Sequence, residues 1–536
     1  MKTNRRPLAI LVILATSTLL QSYGLNRPWS GKDVGYNGAF YSILARNYVR
    51  YGFLQTKFGP VRNNGRADPA EFKYYLNHPP LLPILVALSF KCLGVSEGAA
   101  RLVPLLFTLL SLWIVYLLSR EFWGEDVALA ATTVASFIPI SLFYGSHVEV
   151  FGPLLLFFVL LAVYAYWRWF KTDKTRYLFL SALAFCLGTF VEWDSYLLAL
   201  FLPAHAFFSK SQRTSKRNIV ILPVLACFCL ALLLFHSYLL FGSAHLKEYA
   251  NALLYRQKLE TVTTASAVMA PEQTVRLPRA LKAAKTYLNW VLFGYAAPGT
   301  HPRQPGLPDY FLRNLLYLTV YFNPLVILFA CLGLTQMAGR PPDPENRRAR
   351  NLLFSLLGLG LFRIFFFYNE TWEHRYIYFL LIPGLSCAAA LGLQAVFSLK
   401  GFRKGTLTGV LALFFLISFG ITWKLHQFND DFSGKSVGEL IRPHTGLTQS
   451  AMTSSDYSYQ ALYYADRRIF FGVRTWDRFV ELRNRTGDPA CFLLAQETSV
   501  EPRLSDYLKT HYTLRPAGRH LVFIYPSPVG TSSQTR

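Results

Sequence analysis

Apolar runs of membrane-spanning length recur along this chain from Pro7 to Leu425. A helix that crosses a bilayer core needs roughly 20 consecutive, mostly apolar residues. Soluble domains cannot hide that much apolar surface in separate cores, so the 536 residues do not divide into a string of soluble units. Composition agrees: 52% of residues are hydrophobic and only 16% are charged. An ordinary soluble domain carries roughly 25% charged residues. The chain is therefore read as an all-α polytopic membrane protein with a small C-terminal α/β domain.

Its charge is lopsided, with 54 basic against 30 acidic residues and a formal net charge of +24. In a soluble protein such an excess would suggest nucleic acid. Here topology accounts for it, because basic residues collect in short loops held on the cytoplasmic side. No nucleic-acid partner is expected. Cys92, Cys186, Cys227, Cys229, Cys331 and Cys387 lie in or beside apolar runs, which suits small apolar fillers better than a disulfide framework.

The basic stretch before Pro7 marks a first span with its N-terminus inside. Further runs fall at 79–94, 98–119, 126–145, 150–168, 176–191, 195–208, 219–242, 311–337, 352–368, 376–397 and 406–424. If all of them crossed, the basic loops after residue 150 would lie opposite the basic N-terminus. The run 79–94 is short and opens with Pro79, Pro80 and Pro83. Treated as a dip or an interfacial segment, it returns those loops to the cytoplasm. The expectation is about eleven spans, residues 1–425 forming the membrane domain, with the first outer loop at about 24–97. Residues 426–536 follow as an extracytoplasmic domain. There SAMTS, RIFF, ACFLLA and HLVFIY read as strands, with GKSVGELI, YSYQALYYA, TWDRFVELR and RLSDYLKTH as helices between them.

Charged groups are costly near lipid, so their placement is informative. On the outer face of this topology lie Asp33, Glu149, Glu192, Asp194, Glu370 and Glu373, with His78, Arg101, His147, His374 and Arg375 close by. A cavity that collects them, half in lipid and half in water, suits a reaction between a lipid-borne donor and a water-borne acceptor. Asp33 precedes a stretch with helical spacing at Phe40, Ile43, Leu44 and Tyr48, read as an amphipathic helix on the membrane surface. A carboxylate there suits a general base, and equally a helix cap. Arg375 suits a phosphate clamp, and equally an interfacial anchor beside Trp372, Tyr376 and Tyr378. His78, His147 and Glu149 lack metal-binding spacing, so no metal and no cofactor is expected.

The order of these pieces resembles a known family. An acid in the first outer loop precedes YSILARNYVRYGF and then YYLNHPPLLPILVALSFKCLGVSEGAARLVPLLFTLL. HVEVFGPLLLFFVLLAVYAYW opens a later span, and RYIYFLLIP begins a near-terminal one. Over roughly residues 25–400 this is similar to the bacterial members of the dolichyl-phosphate-mannose protein mannosyltransferases, glycosyltransferase family 39. That family has the GT-C membrane fold and counts the lipid A aminoarabinose transferase among its relatives.

The resemblance implies a polyprenyl-monophosphate-linked sugar donor and transfer on the outer face with inversion. It matches Asp33 to the base that deprotonates the acceptor hydroxyl, and Glu149 to a second acid that is usually Asp. His78 stands where many relatives have Lys near the donor phosphate, and Arg375 with Tyr376 matches an Arg-Tyr before the late span. His78, His147, Arg375 and Tyr376 are the expected substrate-binding residues. The acceptor is a glycolipid, a polysaccharide or a protein. The expected location is the bacterial inner membrane. Two other classes compete: a transporter or lipid-glycan flippase, and a non-catalytic glycolipid-binding subunit.

Overall fold

The computed structural model describes residues 6–31, 34–208, 220–242, 307–339, 344–374, 376–398, 404–495, 498–518 and 520–525. The chain divides into two compact units. The first comprises residues 1–24, 77–79 and 104–426, and the second comprises 25–76, 80–103 and 427–536.

Helices build the first unit: α1 (Arg6–Gln21), most of α4 (Glu97–Trp123), α5 (Glu125–Phe137), α6 (Pro139–Tyr144), α7 (Pro153–Thr172), α8 (Thr175–Thr189), α9 (Leu198–Phe208) and α10 (Ile221–Phe241). They continue with α11 (Leu307–Phe322), α12 (Pro324–Gly339), α13 (Pro344–Phe366), α14 (Tyr368–Glu373), α15 (Ile382–Phe397) and α16 (Lys404–Phe428). Among the described residues six helices are long and apolar enough to cross a membrane, or seven if one bent pair counts as a span. Shorter apolar helices, Pro7–Gln21, Leu81–Leu93 and Thr175–Thr189, accompany them. This is a multi-pass membrane architecture.

The apolar runs read from sequence lie on these helices, with two breaks. The run 126–145 divides at Ile138, where Pro139 opens a new helix at the position that needs no amide donor. The run 311–337 bends by 102° between α11 and α12. Asn323 sits there at a φ of 69°, in the left-handed region that asparagine tolerates better than most residues. Its Oδ1 accepts from the Leu325 amide at 3.0 Å, and its Nδ2 donates to Phe414 O and Ser418 Oγ at 3.0 and 2.9 Å. The polar groups freed by the bend are thus satisfied inside the protein, as lipid requires.

Small residues let α12 and α15 approach closely. A Cβ added at Gly333 would lie 1.9 Å from Ala388 O, and one at Gly392 would lie 2.0 Å from Phe329 O. Backbone proximity of this kind drives helix association in lipid, where apolar burial against a partner offers little gain.

The second unit holds α2 (Val34–Tyr51), α3 (Leu81–Leu93) and the α/β domain. That domain contains α17 (Ser433–Ile441), β1 (Ser450–Thr453), α18 (Tyr459–Ala465), β2 (Arg468–Phe470) and α19 (Trp476–Thr486). It closes with β3 (Cys491–Ala495), α20 (Pro502–His511), β4 (Thr513–Ala517) and β5 (His520–Ile524). The strands lie in the order β2-β1-β3-β5-β4, parallel across β2, β1 and β3 and antiparallel beyond. Strand β1 is buried along its whole length, as a central strand covered on both faces should be. Met452, Phe479, Phe492, Leu504, Leu508 and Phe523 form the core.

The strands and helices read from residues 434–525 are all present, and the sequence reading lacks one element. Strand β4, Thr-Leu-Arg-Pro-Ala, is an exposed edge strand with a proline, so it offers no apolar alternation. Helix α2 forms where its spacing predicts. Phe40, Ile43, Leu44 and Tyr48 are buried within the unit, and the helix packs on α3 and α18.

Candidate active site

Four turns of the first unit bring its polar residues together. Asn77–Pro79 carries His78, the α6–α7 turn carries His147, Glu149 and Phe151, and the turn after α8 carries Glu192 and Asp194. The fourth lies at the end of α13, where Arg363, Glu370, Thr371, His374 and Tyr376 follow one another.

Phe151 is the hub of this cluster. His78 meets its ring edge-on at 5.3 Å, Tyr376 stacks on it at 5.9 Å, and His374 lies at 6.0 Å. The Arg363 guanidinium sits 4.8 Å from the same ring. His147 packs against Tyr144 at 5.8 Å, and Tyr144 in turn lies 6.0 Å from Tyr376. Tyr376 also shares a hydrogen bond with Nδ1 of His374 at 2.9 Å.

Three ionic contacts fix the geometry. Nδ1 of His78 bonds Oε2 of Glu192 at 2.5 Å, so the carboxylate holds the proton on that nitrogen and sets the ring's orientation. Trp193 secures the same segment by donating from Nε1 to Asn77 O at 2.9 Å. Arg363, fully buried, donates from Nε to Asp194 at 2.7 Å and from Nη2 to Glu370 at 2.9 Å. Its Nη1 donates to Thr371 Oγ1 at 3.2 Å. One guanidinium thus ties the turn after α8 to the turn at the end of α13, a role its planar fork suits. Glu149 is 2% exposed on the turn between His147 and Phe151. Among the described residues no group of three or more His, Cys, Asp or Glu side chains is arranged to hold a metal ion.

Asp33 and Arg375 lie outside the described residues. The chain leading to Asp33 is nevertheless well held inside the second unit. Trp29 is fully buried, with the Arg101 guanidinium 4.1 Å from its ring, and its amide donates to Tyr464 Oη at 2.7 Å. Arg101 donates to Leu25 O at 2.8 Å and also to Arg27 O. Gly31 donates its amide to Asp431 O at 3.0 Å and accepts at its carbonyl from Gln460 Nε2 at 2.7 Å. Its φ of 77° favours glycine.

The structure therefore gathers His78, His147 and Tyr376, with Glu192, Asp194, Glu370 and His374, in one aromatic-lined polar cluster of the first unit, and Glu149 lies buried on the turn between His147 and Phe151. The sequence reading omits Arg363 and Phe151. Arg363 carries a usable signal, a lone cation inside GLGLFRIFFFY. Phe151 carries none, since a phenylalanine beside a span is ordinary.

Comparison with known proteins places this arrangement. Residues 77–241 match the family described as dolichyl-phosphate-mannose-protein mannosyltransferase. An uncharacterized protein of Aquifex aeolicus (strain VF5) is 28% identical over 179 residues, 32% of each chain, so the match spans about a third of that relative's length. Among solved structures, apo ArnT from Cupriavidus metallidurans superposes with a TM-score of 0.58 at 14% identity, covering 96% of this chain and 97% of that one. ArnT bound to undecaprenyl phosphate gives 0.58 at 12% identity, with the same coverage of each chain. The Archaeoglobus fulgidus oligosaccharyltransferase in its apo form gives 0.56 at 14% identity, over 91% of this chain and 70% of that one. The chain has the GT-C fold of these membrane glycosyltransferases, as the sequence resemblance implies.

Proposed function

We propose that this chain is a membrane glycosyltransferase that moves a hexosyl or pentosyl group from a polyprenyl-monophosphate donor to an acceptor hydroxyl, with inversion. One observation carries the reading. The segment that matches the mannosyltransferase family, 77–241, contributes His78, His147, Glu192 and Asp194 to a single polar cluster on a GT-C fold, with Glu149 buried on one of its turns. Undecaprenyl phosphate in the ArnT structure supports a polyprenyl-linked donor.

The chemistry asks for a base and an anion clamp. Polyprenyl phosphate leaves readily once cations neutralise it, and Asp33 takes the proton of the incoming hydroxyl. His78, held by Glu192, and Arg375 neutralise the phosphate. Glu149 acts as the second acid at the reaction centre. Tyr376 and His147 line the sugar's path. A long isoprenoid cannot leave the bilayer, which accounts for an enzyme built from spanning helices. The acceptor is a glycolipid, polysaccharide or protein of the cell envelope. In this reading the N-terminus faces the cytoplasm of a bacterial inner membrane and the α/β domain lies outside it.

Donor binding tests the clamp. Undecaprenyl phosphate added to detergent-purified protein should raise its Tm, and undecaprenol, the same chain without the phosphate, should not. His78→Ala and Arg375→Ala should each weaken the effect at least tenfold. Equal stabilisation by both lipids, or no effect of either variant, would overturn this assignment of the clamp.

A further inference from the structure

We infer that a groove in the second unit is a binding site for an acidic saccharide. It lies between the segment 60–75 and the β2–α19 side of the α/β domain, with a volume of about 630 Å³. That is within the roughly 300–1,000 Å³ of small-molecule pockets and far more than an inorganic anion fills. Arg62, Lys73, Arg468 and Arg485 line it, and Glu71 is the acid among its lining residues. The excess of three positive charges selects an anion.

The walls are built rather than incidental. Val61 pairs with Tyr74 in an antiparallel bridge, the Arg62 amide donates to Lys73 O at 2.7 Å, and the Lys73 amide donates to Asn63 Oδ1 at 2.6 Å. Asn47 of α2 donates to Val61 O and Asn63 O, both at 2.8 Å, anchoring this hairpin-like segment. Across the groove Tyr459 packs on Tyr36 and Phe40, each at 4.6 Å, and Tyr457 packs on Tyr459 at 5.0 Å.

Tyrosine rings beside arginine and lysine side chains match a sugar that carries a carboxylate or phosphate. The apolar C–H face of the sugar lies on tyrosine, and the anion takes the paired donors of arginine. A lipid headgroup fits less well. Among the described residues that line the groove, Tyr457 is the one large apolar side chain that is strongly exposed, which leaves little surface for acyl chains. The Arg468–Glu71 pair at 3.3 Å bridges the two walls and is solvated, so a ligand can replace it at little cost. On the transferase reading above, this groove would hold the acceptor glycan away from the reacting hydroxyl.

The test needs no turnover, so its failure leaves the transferase reading intact. Full-length protein in detergent is titrated calorimetrically with hexameric oligogalacturonate, neutral maltohexaose, inorganic phosphate, and vesicles containing an anionic lipid. Oligogalacturonate should bind, more weakly at high salt, and the other three should not compete for the site. Arg62→Ala with Arg485→Ala should weaken binding at least tenfold, and so should Tyr457→Ala. Lys509→Ala, which removes an exposed cation of α20 away from the groove, should change nothing and serves as the control. Equal binding of the neutral and acidic sugars, or acidic binding insensitive to both groove variants, would overturn the proposal. So would vesicle binding that falls with the groove variants while oligogalacturonate does not bind.

Discussion

Replacing Arg363 by methionine should destabilise the membrane unit severely, and the structure sets the size of the effect. The guanidinium is fully buried, and it lies 2.7 Å from Asp194 and 2.9 Å from Glu370, themselves 1% and 5% exposed. Methionine fills much of the volume but leaves both carboxylates without this cation. Removing one partner of a buried ion pair costs about 3–5 kcal/mol. Losing the charged donor to Thr371 adds to that, so a loss of about 4 kcal/mol or more is expected, roughly a thousandfold in the folding equilibrium. The assay is unfolding of the detergent-purified protein in an SDS titration, followed by tryptophan fluorescence. Adding Asp194→Asn and Glu370→Gln to Arg363→Met removes the buried negative charge and should recover more than half of the loss. A methionine variant as stable as the wild type would refute the reasoning. A triple variant no better than the single one would refute it as well.

Asp466 binds Arg46 at 3.0 Å and Arg50 at 2.5 Å, linking α2 to the end of α18. Asn also tolerates the left-handed backbone there, so Asp466→Asn isolates the charge. It should cost about 2–3 kcal/mol, somewhat below a fully buried pair, and expose the segment 60–75 to limited proteolysis. Gly333→Val or Gly392→Val should abolish folded protein on size-exclusion chromatography, because Cβ atoms there would meet backbone at about 2 Å. A neutral histidine cannot clamp phosphate as a cation, so activity should fall where rising pH deprotonates His78. His78→Lys should hold activity to higher pH when consumption of the polyprenyl-phosphate sugar is followed in membranes, and superimposable profiles would remove His78 from the clamp.

Much of the architecture is legible in the sequence because hydropathy is a long, redundant signal. Apolar runs of 14 to 27 residues mark helices whatever their partners, and alternation with turn residues marks the strands β1, β2, β3 and β5. What depends on a single residue is harder to read. The 102° bend at Asn323 interrupts a run whose composition is continuous, and β4 has neither burial nor alternation to reveal it. The candidate site divides the same way. His78, His147, Glu149 and Tyr376 are visible as polar groups at the ends of apolar runs. The pairing of His78 with Glu192, and of Arg363 with Asp194, joins positions more than a hundred residues apart. Nothing in local spacing encodes such pairs. Arg363 was readable as an anomaly, a cation inside a span, but its partners were not.

The central claim is sugar transfer from a polyprenyl-phosphate donor with Asp33 as the base. Its most direct test compares bacterial membranes containing the wild-type protein with membranes containing folded Asp33→Asn. The membranes supply the acceptor, and mass spectrometry of the lipids follows each polyprenyl-phosphate sugar over time. The account predicts that one donor is consumed by the wild type and persists with Asp33→Asn. Equal donor levels in both membranes, with both proteins folded and the donor pool present, would contradict it.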